Sequence, residues 1–316
     1  MILFDATLCA LIVAVALATV AGRDSFRAIV FFIVYGLFVS VAWVRLDAVN
    51  VALAEAAIGA GLTAVLFLAG IGRLRRARIE ADQTVPLHLP AAIACTGLAV
   101  ALGWAWFALP MPESPAPELA RAMPQAGVEN AVTAVLLNFR AWDTLLESVV
   151  LFAALIGVWM LTRDTNWFAP VGLPQHVRPG GILSGFGRVL PPVGFLVGVY
   201  LVYAGTSRPG GAFQGGTVLA AVGLVAAMAG MMRAPRITAT GWRVALVIGP
   251  LAFLLSGVAG EVLAGGFLTL PVAIAGNAIL AIEIALTVSI AVTLAFLVLG
   301  PPESNDNGHD SGGTSS

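Results

Sequence analysis

"LAEAAIGAGLTAVLFL", residues 53–68, decides how this chain is read. It belongs to an apolar run over about 49–71, long enough for a membrane-spanning helix, which needs roughly 20 such residues. Yet it carries Glu55. On a helix, the neighbours of Glu55 are Ala52, Ala56, Gly59 and Thr63. These are small, so that face admits a second helix, and the carboxylate points toward protein rather than lipid. An ionised group at that depth is costly, so it is either protonated or paired. Two readings stay open: a structural acid satisfied by a partner or by interfacial water, and a relay site for a proton or cation.

The composition extends this reading to the whole chain. The 316 residues are 59% hydrophobic and only 10% charged, with a mean hydropathy of +0.96. Soluble domains carry about 25% charged residues. This is therefore an integral membrane protein. All sixteen basic residues are Arg, and the net charge of −1 offers no general attraction to nucleic acid. Cys9 and Cys95 lie in apolar runs without a CxxC pair and read as small buried hydrophobes. His88, His176 and His309 fall in loops or tail, with no metal-ligand spacing and no nucleophile beside them. The expectation is no metal, no cofactor and no catalysis. The start "MILFDATLCA" has Asp5 where a secretory signal would be basic, so the first helix reads as retained.

Nine spans are expected, at about 2–21, 27–44, 49–71, 88–109, 143–161, 187–205, 211–231, 242–259 and 273–299. In lipid a backbone must satisfy its own hydrogen bonds, so these are helices and the fold class is all-α. If the first runs inward, Arg23, Arg27, Arg73, Arg75, Arg76, Arg78, Arg163, Arg178, Arg188, Arg233, Arg236 and Arg243 are cytoplasmic. Only Arg45, Arg121, Arg140 and Arg208 are external. That asymmetry sets the N-terminus outside and the C-terminus inside. Long polar or Pro-rich connections group the helices as 3 + 2 + 4. The corresponding domains are 1–80, 81–165 and 166–300, with 301–316 a polar, low-complexity tail expected to be disordered.

Beyond Asp5, three further acids fall within spans. Asp143 and Glu147 are one turn apart in "NFRAWDTLLESVVLF", with Arg140 on the same face. "TLLE" also fits a capping box, Thr144 as N-cap and Glu147 reaching back, so helix start and ion site remain equal readings. Glu283, in "AILAIEIALTVS", has Thr287 at i+4, Gly276 at i−7 and no base in its own span. It reads as a relay, a contact to another subunit or a water-satisfied acid. Glu261 is expected near the external end of its helix, without a functional role. "TSRPGGAFQGGTVLAA" opens the seventh helix: Pro209 suits a helix start, and Gly211 and Gly215 form GxxxG beside Gly210 and Gly216. Close helix packing is the reading, because a phosphate loop would need Lys and a preceding strand.

Three stretches carry a family resemblance. Residues 23–67, "RDSFRAIVFFIVYGLFVSVAWVRLDAVNVALAEAAIGAGLTAVLF", resemble the three-helix segment in the C-terminal part of the A-type component of Mrp-type multisubunit cation/proton antiporters. Related segments occur as small subunits of membrane-bound energy-converting hydrogenases. Residues 130–158, "NAVTAVLLNFRAWDTLLESVVLFAALIGV", resemble the two-helix segment that follows. Residues 203–224, "YAGTSRPGGAFQGGTVLAAVGL", resemble the signature of the antiporter's B-type component, a four-helix protein. Asn138, Leu146 and Thr206 depart from the usual acid, Gly and His.

The resemblance implies a fusion of the end of the A-type component with the B-type component, working beside large antiporter-like subunits in Na⁺/H⁺ exchange. It implies an ion path through the acids at Glu55 and Glu147. Asp143 and Glu283 are the further candidates, while Gly59, Thr63, Pro209, Gly210, Gly211, Gly215 and Gly216 are the packing and signature positions. A redox-driven complex with the same small subunits, or a passive assembly scaffold, would use the same fold.

Overall fold

A computed structural model describes residues 2–21, 24–76, 89–110, 113–162, 164–172, 181–232 and 235–302. His88, His176, His309 and the tail from 303 lie outside them. The described residues are helical, with isolated bridges and no strand. The helices are α1 (Ile2–Ala21), α2 (Ser25–Arg45), α3 (Val49–Ala54), α4 (Thr63–Arg76), α5 (Leu89–Ala108) and α6 (Ala116–Ala122). There follow α7 (Ala131–Ala134), α8 (Ala141–Met160), α9 (Ile182–Ala204), α10 (Ala212–Met228), α11 (Thr240–Ala264) and α12 (Ala275–Leu299). Between α3 and α4 the chain continues as a π-helical segment, Glu55–Leu62, so one span runs from Val49 to Gly72. A second π segment, Val135–Phe139, follows α7 and ends at a break at Arg140.

Among the described residues, eight helices are long and apolar enough to cross a membrane. The ninth, α10, has only 17 residues, about 25 Å at 1.5 Å per residue against a core of about 30 Å. It is short because Gly210 and Gly211 precede it with φ of 159° and 129°, backbone that side chains rarely adopt.

The core is built around α12. Ile279, Ile282, Leu286, Ile290 and Leu294 recur at three- and four-residue spacing and are all buried. Glycines set how closely its neighbours approach. A methyl at Gly216 of α10 would lie 2.8 Å from Ile290 Cγ2, and one at Gly249 of α11 would lie 2.9 Å from Leu286 Cα. Thr287 and Thr293 donate back to the carbonyls of Glu283 and Ser289, at 2.7 Å each, so their hydroxyls are satisfied within the helix. Ser289 instead donates across to the Leu246 carbonyl of α11.

Two sequence expectations are corrected here. Cys9 and Cys95 are exposed, not buried. Helix α1 packs on α2, and α5 has no buried residue, so apolar character on these helices faces outward. Membrane helices are apolar on the sides that meet lipid or other subunits too. The capping box at Thr144 does not form either. Helix α8 begins at Ala141, and the Thr144 hydroxyl donates to the Leu136 carbonyl at 2.8 Å. A carbonyl freed by the break at Arg140 takes the hydroxyl that a cap would have used.

Candidate functional site: acids around a recessed glycine loop

The loop 205–211 between α9 and α10 does not lie at the level where its neighbours end. Gly211 stands beside Glu283, and Gly216 beside Thr287 and Ile290. Glu283 follows the first residue of α12, Ala275, by eight positions, so the loop is recessed by roughly 12 Å. Irregular backbone at such depth persists only where protein satisfies it. Here three separate segments do so.

Asn50, at the start of α3, accepts the Gly210 N–H through Oδ1 at 3.0 Å, and its own carbonyl accepts Gln214 Nε2 at 3.3 Å. Asn130 is buried and caps α7 by accepting the Val132 N–H. Its Nδ2 donates to the carbonyls of Gly205 at 2.9 Å and Arg208 at 2.8 Å. Thr133 donates to the Gly205 carbonyl at 2.6 Å, and the Thr206 carbonyl accepts the N–H groups of Glu129 and Asn130. The Gly211 N–H returns to the Leu201 carbonyl at 2.9 Å. Sequence reasoning missed Asn50, Asn130 and Thr133. For Asn130 a signal existed: an Asn directly before a helix-forming run is a cap signature.

Glu283 lies behind this loop, 2% exposed, and its Oε2 is buried with no hydrogen-bond partner. The other oxygen faces the loop glycines: a methyl at Gly205 would lie 2.9 Å from Oε1, and one at Gly211 3.3 Å. Thr287 serves the Glu283 main-chain carbonyl, not its carboxyl. Gly215 and Gly216 pack against α9 and α12, whereas Gly211 caps α10 rather than packing, so the GxxxG pair divides into a cap and a contact. Pro209 is exposed, ahead of the recessed glycines.

Glu55 is half-buried at the first position of its π segment, and its carboxyl lies over Gly59. The close approach to α2 is made by Ala60, outside the face named from α-helical spacing: a methyl at Gly36 of α2 would meet Ala60 Cβ at 3.1 Å. Thr63 donates to the Ile58 carbonyl at 2.8 Å, five residues back, which holds the π geometry. Asp143 pairs with Arg140, three positions before it, at 2.8 Å. Glu147 is exposed on α8, between exposed Leu146 and Val150, while Thr144, Leu145 and Ser148 turn inward. No hydrogen bond or ion pair joins Glu55, Glu147 and Glu283 among the described residues. Asn138 donates to the Ala126 carbonyl at 3.1 Å, an anchoring contact. Glu261 is exposed in the last turn of α11.

Family models match three consecutive parts of this chain: the MBH component MbhD over 10–76, the MBH component MbhE over 85–171, and a domain related to the MnhB component of Na⁺/H⁺ antiporters over 182–300. The chain is a fusion of Mrp- and Mbh-type small-subunit domains. The recessed loop is thus held by all three: Asn50 lies in the first, Asn130 and Thr133 in the second, and the glycines in the third. A curated relative, an uncharacterized protein of Methanocaldococcus jannaschii, is 30% identical over 156 residues, which are 45% of the fusion and 60% of that relative. The fusion therefore spans about three fifths of the relative's length. Its fold is that of a chain in the Mrp complex of Dietzia sp. DQ12-45-1b, with a TM-score of 0.73 and 23% identity. That match covers 96% of the fusion and 35% of the other chain. The membrane-bound sulfane sulfur reductase, an archaeal respiratory membrane complex, matches 66% of the fusion and 95% of its own chain, with a TM-score of 0.54 and 23% identity.

Proposed function

We propose that the fusion is a membrane subunit of a multisubunit cation/proton antiporter, supplying part of the path for Na⁺ and H⁺ and the packing surface for larger antiporter-like subunits. The observation that carries this reading is Glu147. It is exposed on an apolar span, where lipid would solvate a carboxyl poorly. A neighbouring protein with a polar or water-filled seam is the environment that accommodates it. Helix α5, which has no buried residue, offers further surface for such neighbours.

Glu55 and Glu147 carry the proton or cation in this account, and Asp143, held by Arg140, stands at the entrance to α8. The N-terminus is outside and the C-terminus cytoplasmic, as the arginine asymmetry favours. In that orientation the recessed loop opens from the external side. The domains divide near 80 and 165. Each unit charge moved is driven by about 2.3 kcal/mol per 100 mV. The absence of Lys in the chain leaves any lysine-dependent step to other subunits.

A second reading is favoured by the likeness to the sulfane sulfur reductase complex: the same domains serving a redox-driven ion pump. Purification of the tagged protein from its native membrane in gentle detergent separates the two. Co-purifying antiporter-like subunits without redox proteins support exchange. Redox subunits support the pump, and a chain recovered alone contradicts both.

A further inference from the structure

We infer that Glu283 and the recessed glycine loop form a proton-binding site at the junction of the three domains. The site is defined by geometry. Glu283 is 2% exposed, one carboxyl oxygen has no hydrogen-bond partner, and the other lies against Gly205 and Gly211, where an added methyl would stand 2.9 and 3.3 Å from it. Glycine at these positions makes room for the carboxyl.

Among the described side chains on the elements around α12, none supplies Glu283 with a counter-charge. Helix α10 has no charged or titratable group. Helix α8 has Asp143 and Glu147, α9 has Arg188, Tyr200 and Tyr203, and α11 has Arg243 and Glu261. The arginines of α4, Arg73, Arg75 and Arg76, stand in its last four residues, and Arg208 of the loop is exposed. No ion pair to Glu283 is made among the described residues. The start of α10 at Gly211 provides a field that favours an anion, but no side-chain cap bond is formed there. That field is a smaller effect than the cost of isolating an unpaired carboxylate in protein. A bound proton removes the cost.

A monovalent cation fits less well, because the nearby carbonyls are engaged. The Gly205 carbonyl accepts from Asn130 and Thr133, that of Arg208 from Asn130, and that of Leu201 from the Gly205 and Gly211 N–H groups. A hard cation would need several free oxygens. The inference goes beyond the transport reading and holds whether or not the fusion serves an exchanger.

Infrared difference spectroscopy of the purified full-length protein at neutral pH tests it, comparing wild type with Glu283→Gln in H₂O and D₂O. Wild type should show one carboxylic-acid carbonyl band that the Gln variant lacks. That band should shift in D₂O and be indifferent to exchanging Na⁺ for choline. Carboxylate bands in its place would overturn the inference, as would an acid band that Na⁺ abolishes. Glu283→Asp provides a second reading should the Gln variant fail to accumulate. A displaced acid band supports the site, and a spectrum identical to wild type contradicts it.

Discussion

Asn50 Oδ1 lies 3.0 Å from the Gly210 nitrogen, a hydrogen bond across 160 positions of sequence that joins the first domain of the fusion to the third. Asn130 brings in the second domain, with its Nδ2 shared between two loop carbonyls. The recessed loop keeps its shape because two asparagines outside its own domain complete its hydrogen bonds.

Asn130→Ala should therefore cost more than an ordinary loop substitution. It leaves the Arg208 carbonyl without this donor and removes the α7 cap, so a loss of about 1–3 kcal/mol is expected. Asn50→Ala should cost less, since Asn50 is only half-buried. Thermal unfolding of the purified variants measures both, and equal, negligible losses would contradict the three-way junction.

Glycine positions in the core should separate by what surrounds them. Gly249→Ala drives a methyl toward the Leu286 backbone at 2.9 Å and should destabilise by about 1–3 kcal/mol. Gly223→Ala meets nothing within 4 Å and should be neutral within about 0.5 kcal/mol. The pair, compared by detergent-resistance or thermal melts, checks that α11 and α12 are in backbone contact.

The ion pair between Asp5 and Arg45, at 2.8 Å, ties the start of α1 to the end of α2. Both partners are well exposed, so Asp5→Asn should change stability by no more than about 1 kcal/mol. A large loss in the same melts would show that this contact is shielded from solvent by something beyond the chain.

Much of this architecture is legible in sequence. Long apolar runs are direct readouts of membrane thickness, so the eight membrane-length helices among the described residues stand out, and so does α10 despite its 17 residues. Glu283 is visible as an acid in an apolar helix. The loop that faces it is not, because pairing Gly205 and Gly211 with a residue some 70 positions away is a tertiary fact. Thr144 misleads because a capping box and a hydroxyl that satisfies a helix break share the same residues. Cys9 and Cys95 mislead because apolar surroundings in sequence mean burial only in a water-soluble protein. Asn50 looks like an ordinary residue at a helix start and Asn130 like an ordinary helix cap; what distinguishes them is the loop they meet.

Glu147→Gln should leave α8 intact, since the side chain makes no contact that starts the helix, and should impair ion exchange in everted vesicles. Substituting Leu146 on the same exposed face with a large polar residue should instead disturb assembly. Co-purification of the neighbouring subunits reads that second effect. Full assembly with such a Leu146 variant would contradict an inter-subunit contact on this face.

The central claim is that an acid on the Val49–Gly72 span carries the transported ion, and Glu55→Gln tests it most directly. The amide keeps the volume of the side chain over Gly59 but cannot titrate. Cation-dependent proton movement is measured in everted vesicles containing the assembled complex, with the composition of each preparation verified. The account predicts loss of exchange with normal assembly. Wild-type exchange by the Glu55→Gln complex would contradict it.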